Sequence, residues 1–286
     1  MSRKKRKLIY ILGHSFSGST LFDLIIGSDD SVVSTGESAL LRNHIYGFDQ
    51  SDRKNENKKF CLCGKKLNDC PLWGEILEKY SPQELFKQKS RKDAHKSILG
   101  FFNLYNPRVI EEEVLDDVIN SARKFKPNVD KVVDSSKTLK RLIFLKKIDP
   151  FVIFLVKDGR SVVNRKRGYK RYFTWLYRNI TAHLYLLINN HRYMIISYDK
   201  FAQNPAPYIK KLNKEIGLNI DPDTVVDKIN SQQYHNIGGN GMRRRKIEGI
   251  KYNPKWRWEM PKWKQIIFNV LCYVPNKFWV YNKRRG

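Results

Sequence analysis

Residues 8–27 read LIYILGHSFSGSTLFDLIIG. An apolar run ends at Gly13, four residues pass, and Gly18-Ser19-Thr20 opens an amphipathic stretch. The spacing is that of a phosphate loop, G-x-x-x-x-G-K-[ST], with Ser19 where the lysine belongs. Gly13 and Gly18 permit tight turns, and successive backbone N–H groups at a helix start can cradle an anion. Ser19 and Thr20 add hydroxyl donors. A GTPase or motor would need the lysine on its β- and γ-phosphates and a carboxylate for magnesium, and the pattern offers neither.

Two further segments carry chemistry. In KDGRSVVNRKRG, Lys157, Arg160 and Arg165 concentrate charge just after the most apolar run of the chain. A strand that hands over to a helix at that point suits a second phosphate. In CLCGKKLNDC, Cys61, Cys63 and Cys70 supply three thiols. Zinc sites usually show paired C-x₂₋₄-C spacing and four ligands, and no fourth ligand is evident nearby. A disulfide or packed thiols is therefore the preferred reading, with no metal.

The elements that must position these residues follow from the hydrophobic pattern. Residues 8–12 and 151–156 read as buried parallel strands, with shorter strands at 32–33 and 131–133 and a further one in YMIISYDKF. Helices are expected after Gly18, over 82–100 and 111–125, from about Thr138, after Arg160, over 172–190 and from Pro205 to Ile216. Repeated strand-then-helix units imply a parallel sheet covered on both faces, an α/β fold. Ligands of such sheets sit at the carboxyl ends of the strands. Three loops fall there: Gly13–Ser19, Asp134–Lys137 and Lys157–Arg160. Beyond residue 231 the chain turns Gly-rich, basic and Trp-rich, which suggests a long closing loop and then a terminal helix.

The 286 residues carry 55 basic and 28 acidic side chains, a net charge of +27, and 41% are hydrophobic. That is apolar enough for a sizeable core, and so basic that a polyanionic partner is expected. No run approaches the length of a membrane span, and the apolar stretch after MSRKKRK is too short for a signal core. A cytoplasmic protein is expected, with a charge that allows peripheral contact with an anionic membrane.

Taken in order, these motifs resemble the sulfotransferases that use 3′-phosphoadenosine 5′-phosphosulfate. The family's R-S-G-[ST]-T-L is matched by FSGSTL from Phe16, and its R-D-P-R-x-V-x-x-S by KDGRSVVNR from Lys157. Between them lie Gly36-Glu37 for G-E; Cys61, Cys63, Gly64, Cys70, Pro71 and Trp73 for C-x-C-G…C-P-x-W; and Asp134 to Lys137 for D-S-S-K. Tyr198 opens the Y-E-D-L-like element, and His235 opens H-x-I-G-G-N-x-M-R. The match spans nearly the whole chain.

The resemblance implies a single domain over 1–286 with a P-loop nucleoside-triphosphate-hydrolase-like, three-layer sandwich. An acceptor-side insertion would lie at about 40–125 and a closing segment at about 232–286. It implies a nucleotide sulfuryl donor and a hydroxyl acceptor on a carbohydrate, lipid or small metabolite. Ser15, Phe16, Ser17, Gly18, Ser19 and Thr20 would hold the 5′-phosphosulfate. Lys157 and Arg165 would hold the 3′-phosphate, with Arg243 on a phosphate from the closing loop. Glu37 is the expected base, and Ser135 and Ser136 would bind the transferring group. Such a donor has no β/γ-phosphate chain to clamp and needs no magnesium bridge, which accounts for a phosphate loop without its lysine. The chain departs from the pattern at three places: Phe16 and Lys157 replace arginines, and Arg165 replaces a serine. Phe16 removes a cation from the reacting group. Lys137 is the first candidate to supply it, and His14 the second. The alternative is a basic protein that binds nucleic acid or another polyanion on a catalytically decayed fold of this kind.

Overall fold

The computed structural model describes residues 7–41, 60–81, 111–164 and 170–282. Its centre is a sheet of five strands, all parallel: β1 (Leu8–Gly13), β2 (Val32–Gly36), β3 (Lys131–Lys137), β4 (Phe151–Val156) and β5 (Tyr193–Ser197). They lie in the order β2-β3-β1-β4-β5. The chain first builds to one side of β1 and later to the other. The end of β1 therefore opens where the winding reverses, the usual ligand crevice of such sheets.

Side chains alternate across the pleat, so each strand feeds two cores. Tyr10 and Leu12 face one, Ile9 and Ile11 the other. On the second face lie α1 (Ser19–Gly27), α8 (Ala206–Ile216) and α9 (Val225–Ser231), through Phe22, Ile209, Leu212 and Ile229. The first face is covered by α3 (Glu111–Arg123), α6 (Lys170–Ile188) and α11 (Lys262–Asn276), through Val118, Trp175, Tyr185 and Phe268. This is the expected α/β architecture, helices on both faces of a parallel sheet. The shorter helices α2 (Trp73–Lys79), α4 (Leu139–Phe144), α5 (Gly159–Asn164), α7 (Tyr198–Gln203) and α10 (Trp256–Glu259) lie in the connections.

Three expectations change. Asp134–Lys137 is not a loop: β3 runs through it with a register shift against each neighbour, Asp134 pairing with Tyr10 and Gly36, and Lys137 with Leu12. The segment YMIISYDKF is not one strand. It stops at Ser197, whose hydroxyl accepts from the Lys200 N–H and caps α7. The short strand at 32–33 extends to Gly36. Thr138, where the helix was expected to start, instead caps α4 by accepting from the Arg141 N–H. The helix expected over 82–100 lies outside the described residues.

The closing segment meets the sheet at Gly36. Ile237 bridges it in parallel, donates its N–H to the Thr35 carbonyl and accepts from the Glu37 N–H at 2.8 Å. Gly36 has φ 68°, and a Cβ there would stand 2.2 Å from the Ile237 carbonyl oxygen. Only glycine meets both demands at low cost. Gly36→Ala is expected to lower the unfolding free energy by about 1–3 kcal/mol from backbone strain alone. Urea denaturation of the two proteins measures it.

Candidate functional site

The carboxyl ends of β1, β2 and β3 assemble a charged crevice. After β1, the Ser17 N–H returns to the His14 carbonyl at 3.2 Å, and Gly18, at φ 95°, turns the chain into α1. Ser19 and Thr20 are buried in the first turn of that helix, and Ser15 is exposed. Phe16 sits at φ 70°, an uncommon conformation for a side chain of its size. Ser17 is fully buried, and its hydroxyl has no hydrogen-bond partner among the described residues. Buried hydroxyls are normally satisfied, so an unpartnered one inside an anion-type loop fits a ligand oxygen. Thr20 is turned elsewhere: its hydroxyl accepts from the Asn240 N–H at 3.2 Å and pins the closing segment over α1.

Glu37 and Lys137 form one ion pair. Lys137 Nζ lies 2.5 Å from Glu37 Oε1, and both side chains are about 15% exposed, a partly screened position. Glu37 starts a 3₁₀ turn but makes no side-chain cap bond, and its carboxylate is instead turned to the lysine. Gly238 lets the closing segment cross directly above, since a Cβ there would stand 2.7 Å from Glu37 Cβ.

Asp134 organises the floor. Its Oδ1 accepts from the Ser136 N–H at 2.8 Å and the Ser136 hydroxyl at 2.5 Å, and its Oδ2 from the Ser38 hydroxyl at 2.5 Å. Arg141 Nε stands 3.6 Å away. The Ser136 hydroxyl also accepts from the Ala39 N–H at 3.1 Å. That oxygen is thus engaged in joining β3 to the turn after β2, and Ser135 is buried beside it.

The second basic loop is partly spoken for. Arg160 grips Asp158 through two bonds, Nε to Oδ1 at 3.0 Å and Nη2 to Oδ2 at 2.7 Å, and stacks 3.7 Å above the Trp256 ring. Tyr281 also donates to Asp158. Arg160 therefore serves the protein's own frame. Lys157 instead lies 4.3 Å above the Tyr198 ring. That ring packs on Gly18, where a Cβ would come within 2.2 Å of it. Tyr198 is thus wedged between the two loops that the sequence marked for anions. No spacing rule pairs these residues, so sequence reasoning missed this role for Tyr198. Arg165 lies outside the described residues.

The other cations differ in standing. Burial lowers the pKa of His14, and Arg178 and Arg171 on α6 push it further down. The imidazole is neutral near pH 7, with Nδ1 2.8 Å from the Ser15 carbonyl, so it is a poor source of resting charge. Those two arginines are cations near the loop that the sequence did not single out. Arg243 donates to the Asn236 carbonyl at 3.1 Å, and burial holds its pKa down, with Arg244 adding to the effect. Cys61, Cys63, Cys70 and His235 lie together, their ligand atoms within 4.8 Å of one another. A fourth donor, 165 residues away from Cys70 in sequence, is what local spacing could not reveal.

No protein-family model and no curated protein matches the chain. Among solved structures, sulfotransferase STF9 from Mycobacterium avium is similar over 96% of this chain and 77% of that one, at 9% sequence identity and a TM-score of 0.38. The roles assigned below rest on this chain's own residues.

Behind the crevice, Asp23 is completely buried on α1. Its Oδ2 accepts from Ser34 at 2.7 Å and Asn236 at 2.9 Å. Burial raises its pKa to about 7, aided by the nearby Asp134 charge and against hydrogen bonds from Ser34, Asn236 and Ser135. A carboxyl whose pKa rises on folding binds its proton more tightly in the native state. Its contribution to stability is full below the unfolded value near 3.8 and is lost as pH rises through about 7. Asp23→Asn keeps an oxygen for both donors and removes the titration. The variant is expected to be less sensitive than the parent to a change from about pH 5 to about pH 8. Urea midpoints at the two pH values check it, and parallel slopes would exclude Asp23 as the source.

Proposed function

We propose that this chain is a sulfotransferase, moving a sulfuryl group from 3′-phosphoadenosine 5′-phosphosulfate to a hydroxyl acceptor. The observation that carries the reading is the Glu37–Lys137 pair, held at the same carboxyl-terminal end of the strands as the lysine-less anion loop. One partner can take a proton and the other can meet a developing negative charge, which are the two demands of the reaction.

In this reading the 5′-phosphosulfate lies in the Gly13–Thr20 loop, against backbone N–H groups and the Ser17 hydroxyl. Lys157 meets the 3′-phosphate across Tyr198. The acceptor hydroxyl gives its proton to Glu37 as its oxygen bonds to sulfur. The bond between sulfur and the bridging oxygen breaks, and its electron pair stays on the departing 5′-phosphate. Lys137, freed from Glu37 as that carboxylate is protonated, supplies the charge that Phe16 does not. Glu37 is the catalytic base and Lys137 the electrophilic partner. Ser136 acts through Asp134, as a positioning residue.

A second reading, binding of a polyanion without catalysis, is favoured by one observation. A cleft of about 970 Å³ behind α1 is lined by Arg243, Arg244, Arg245 and Lys246. The two readings separate in a thermal-shift comparison of 3′-phosphoadenosine 5′-phosphate with a duplex oligonucleotide. Stabilisation by the oligonucleotide alone would favour the polyanion.

Without magnesium, the protein is expected to bind 3′-phosphoadenosine 5′-phosphate more tightly than ADP. Lys157→Ala should remove a charge-assisted contact worth roughly 1.5–3 kcal/mol and most of that preference. Equal affinities in calorimetry would remove Lys157 from the site. Glu37→Gln is expected to keep donor binding and lose turnover by about 10²–10⁴-fold. The assay is sulfuryl transfer from labelled donor to an acceptor found by screening, and unchanged turnover would take Glu37 out of the mechanism.

A further inference from the structure

We propose that Cys61, Cys63, Cys70 and His235 form a structural zinc site that staples the cysteine-bearing segment to the closing segment. Cys63 Sγ and Cys70 Sγ are 3.8 Å apart, and Cys70 Sγ is 3.3 Å from His235 Nδ1. All four ligand atoms lie within 4.8 Å of one another. A tetrahedral zinc with bonds of about 2.3 Å to sulfur and about 2.0 Å to nitrogen sets sulfurs roughly 3.8 Å apart and sulfur and nitrogen roughly 3.5 Å apart. Three thiolates and one imidazole form a closed structural set, and their softness selects against magnesium and calcium.

The frame is built for that set. Phe60 and Lys66 pair across an antiparallel bridge, and the turn between them is closed by Gly64 N–H to the Cys61 carbonyl at 3.0 Å and Cys61 N–H to the Lys65 carbonyl at 2.9 Å. Cys70 leads into α2, where the Gly74 N–H reaches its carbonyl at 2.8 Å. From the other side, the Trp73 indole donates to the His235 carbonyl at 2.6 Å, and the Leu62 N–H to the Asn236 carbonyl at 3.2 Å. Phe125 packs on the imidazole, ring centroids 4.4 Å apart. Cys61, Cys70 and His235 are buried, so the sulfurs and the imidazole face one another out of water. Zinc binding releases three thiol protons to solvent and forms four coordinate bonds, with no redox step. His235 is two residues from Ile237, so the staple sets where the closing segment crosses Gly36 and Glu37.

The full-length protein, made in zinc-supplemented medium and gel-filtered, is expected to carry one zinc per chain by elemental analysis. Mercurial titration of the thiols should release that zinc in proportion. Cobalt should give thiolate charge-transfer bands and the intense d–d bands of a four-coordinate ion. His235→Ala should lose the four-coordinate spectrum, and His235→Cys should keep it. Metal-free protein with no cobalt spectrum would overturn the site, as would a native mass two hydrogens low from a disulfide, or a four-coordinate spectrum retained in His235→Ala. Should His235→Ala fail to fold, the zinc content and thiol titration of the parent chain decide alone.

An independent observation supports a second site. Helices α6 and α11 pack through Tyr172, Trp175 and Phe268, with ring centroids 5.6–6.0 Å apart. Away from that junction each exposes an apolar stripe at helical spacing. Phe173, Tyr177, Ile180 and Leu184 stand out on α6; Trp263, Ile266, Val270 and Val274 stand out on α11, with Val270 79% exposed. Neither helix contains a single Asp or Glu, while Arg171, Arg178, Lys262, Lys264 and Lys277 stand on or beside them. Apolar stripes flanked by these cations, on two helices without a carboxylate of their own, suit an anionic lipid surface, and no described helix is long and apolar enough to cross a membrane. We infer that this face docks on the headgroup region of an anionic bilayer. Vesicles of phosphatidylcholine with phosphatidylserine should pull the protein down at physiological salt, and pure phosphatidylcholine should not. A chain of this charge binds anionic vesicles weakly by attraction alone, so the deciding variant is apolar. Ile266→Asp with Val270→Asp should lose sedimentation and the blue shift of Trp fluorescence, with the same circular dichroism as the parent. Unchanged binding would overturn the docking face. So would a parent dimer in analytical ultracentrifugation that this variant dissolves, since a second copy would then be the occupant.

Discussion

One buried carboxylate holds the crevice in its shape. Asp134 is 3% exposed and accepts from three donors, two on Ser136 and one on Ser38. These bonds tie the last residues of β3 to the turn that follows β2. Lys137 and Glu37 emerge from those two places, so their 2.5 Å contact is a consequence of the network beneath them. Buried polar networks of this kind are costly unless complete, and complete ones specify a single arrangement. The Ser136 hydroxyl, acting as donor and acceptor at once, closes the circuit.

The charge of +27 looks like an undifferentiated attraction for anions when read from composition. The structure divides it. Arg160 is neutralised by Asp158 and stacked on Trp256. Lys137 is paired with Glu37, and Arg243 is turned to a backbone carbonyl. Lys157 stands over the face of Tyr198, a cation–π contact at 4.3 Å. Position and partner, more than number, decide which cations can answer a ligand.

The α/β class and the three strand-end segments were legible in the sequence. Apolar runs such as 151–156 state their own burial, and the glycine spacing after Leu12 states a turn into a helix. The DSSK segment misled, because serines and aspartate read as loop residues, while Asp134 and Lys137 pair with neighbouring strands across register shifts and keep the segment in β3. The Glu37–Lys137 pair spans 100 residues and the Cys70–His235 contact 165, distances over which periodicity carries no information. Tyr198 gave no sign that it would rest on Gly18, because that contact depends on how β5 stands beside β4 and β4 beside β1.

That ring has a further consequence. Tyr198 packs against Gly18 and lies under the Lys157 ammonium, so it stands between the two loops proposed to hold the donor's phosphates. Under that proposal, a ligand that engages both loops must carry two charged groups at a span that includes the ring. Selectivity would then come from a distance, and not from any contact with the part of the ligand between its charges.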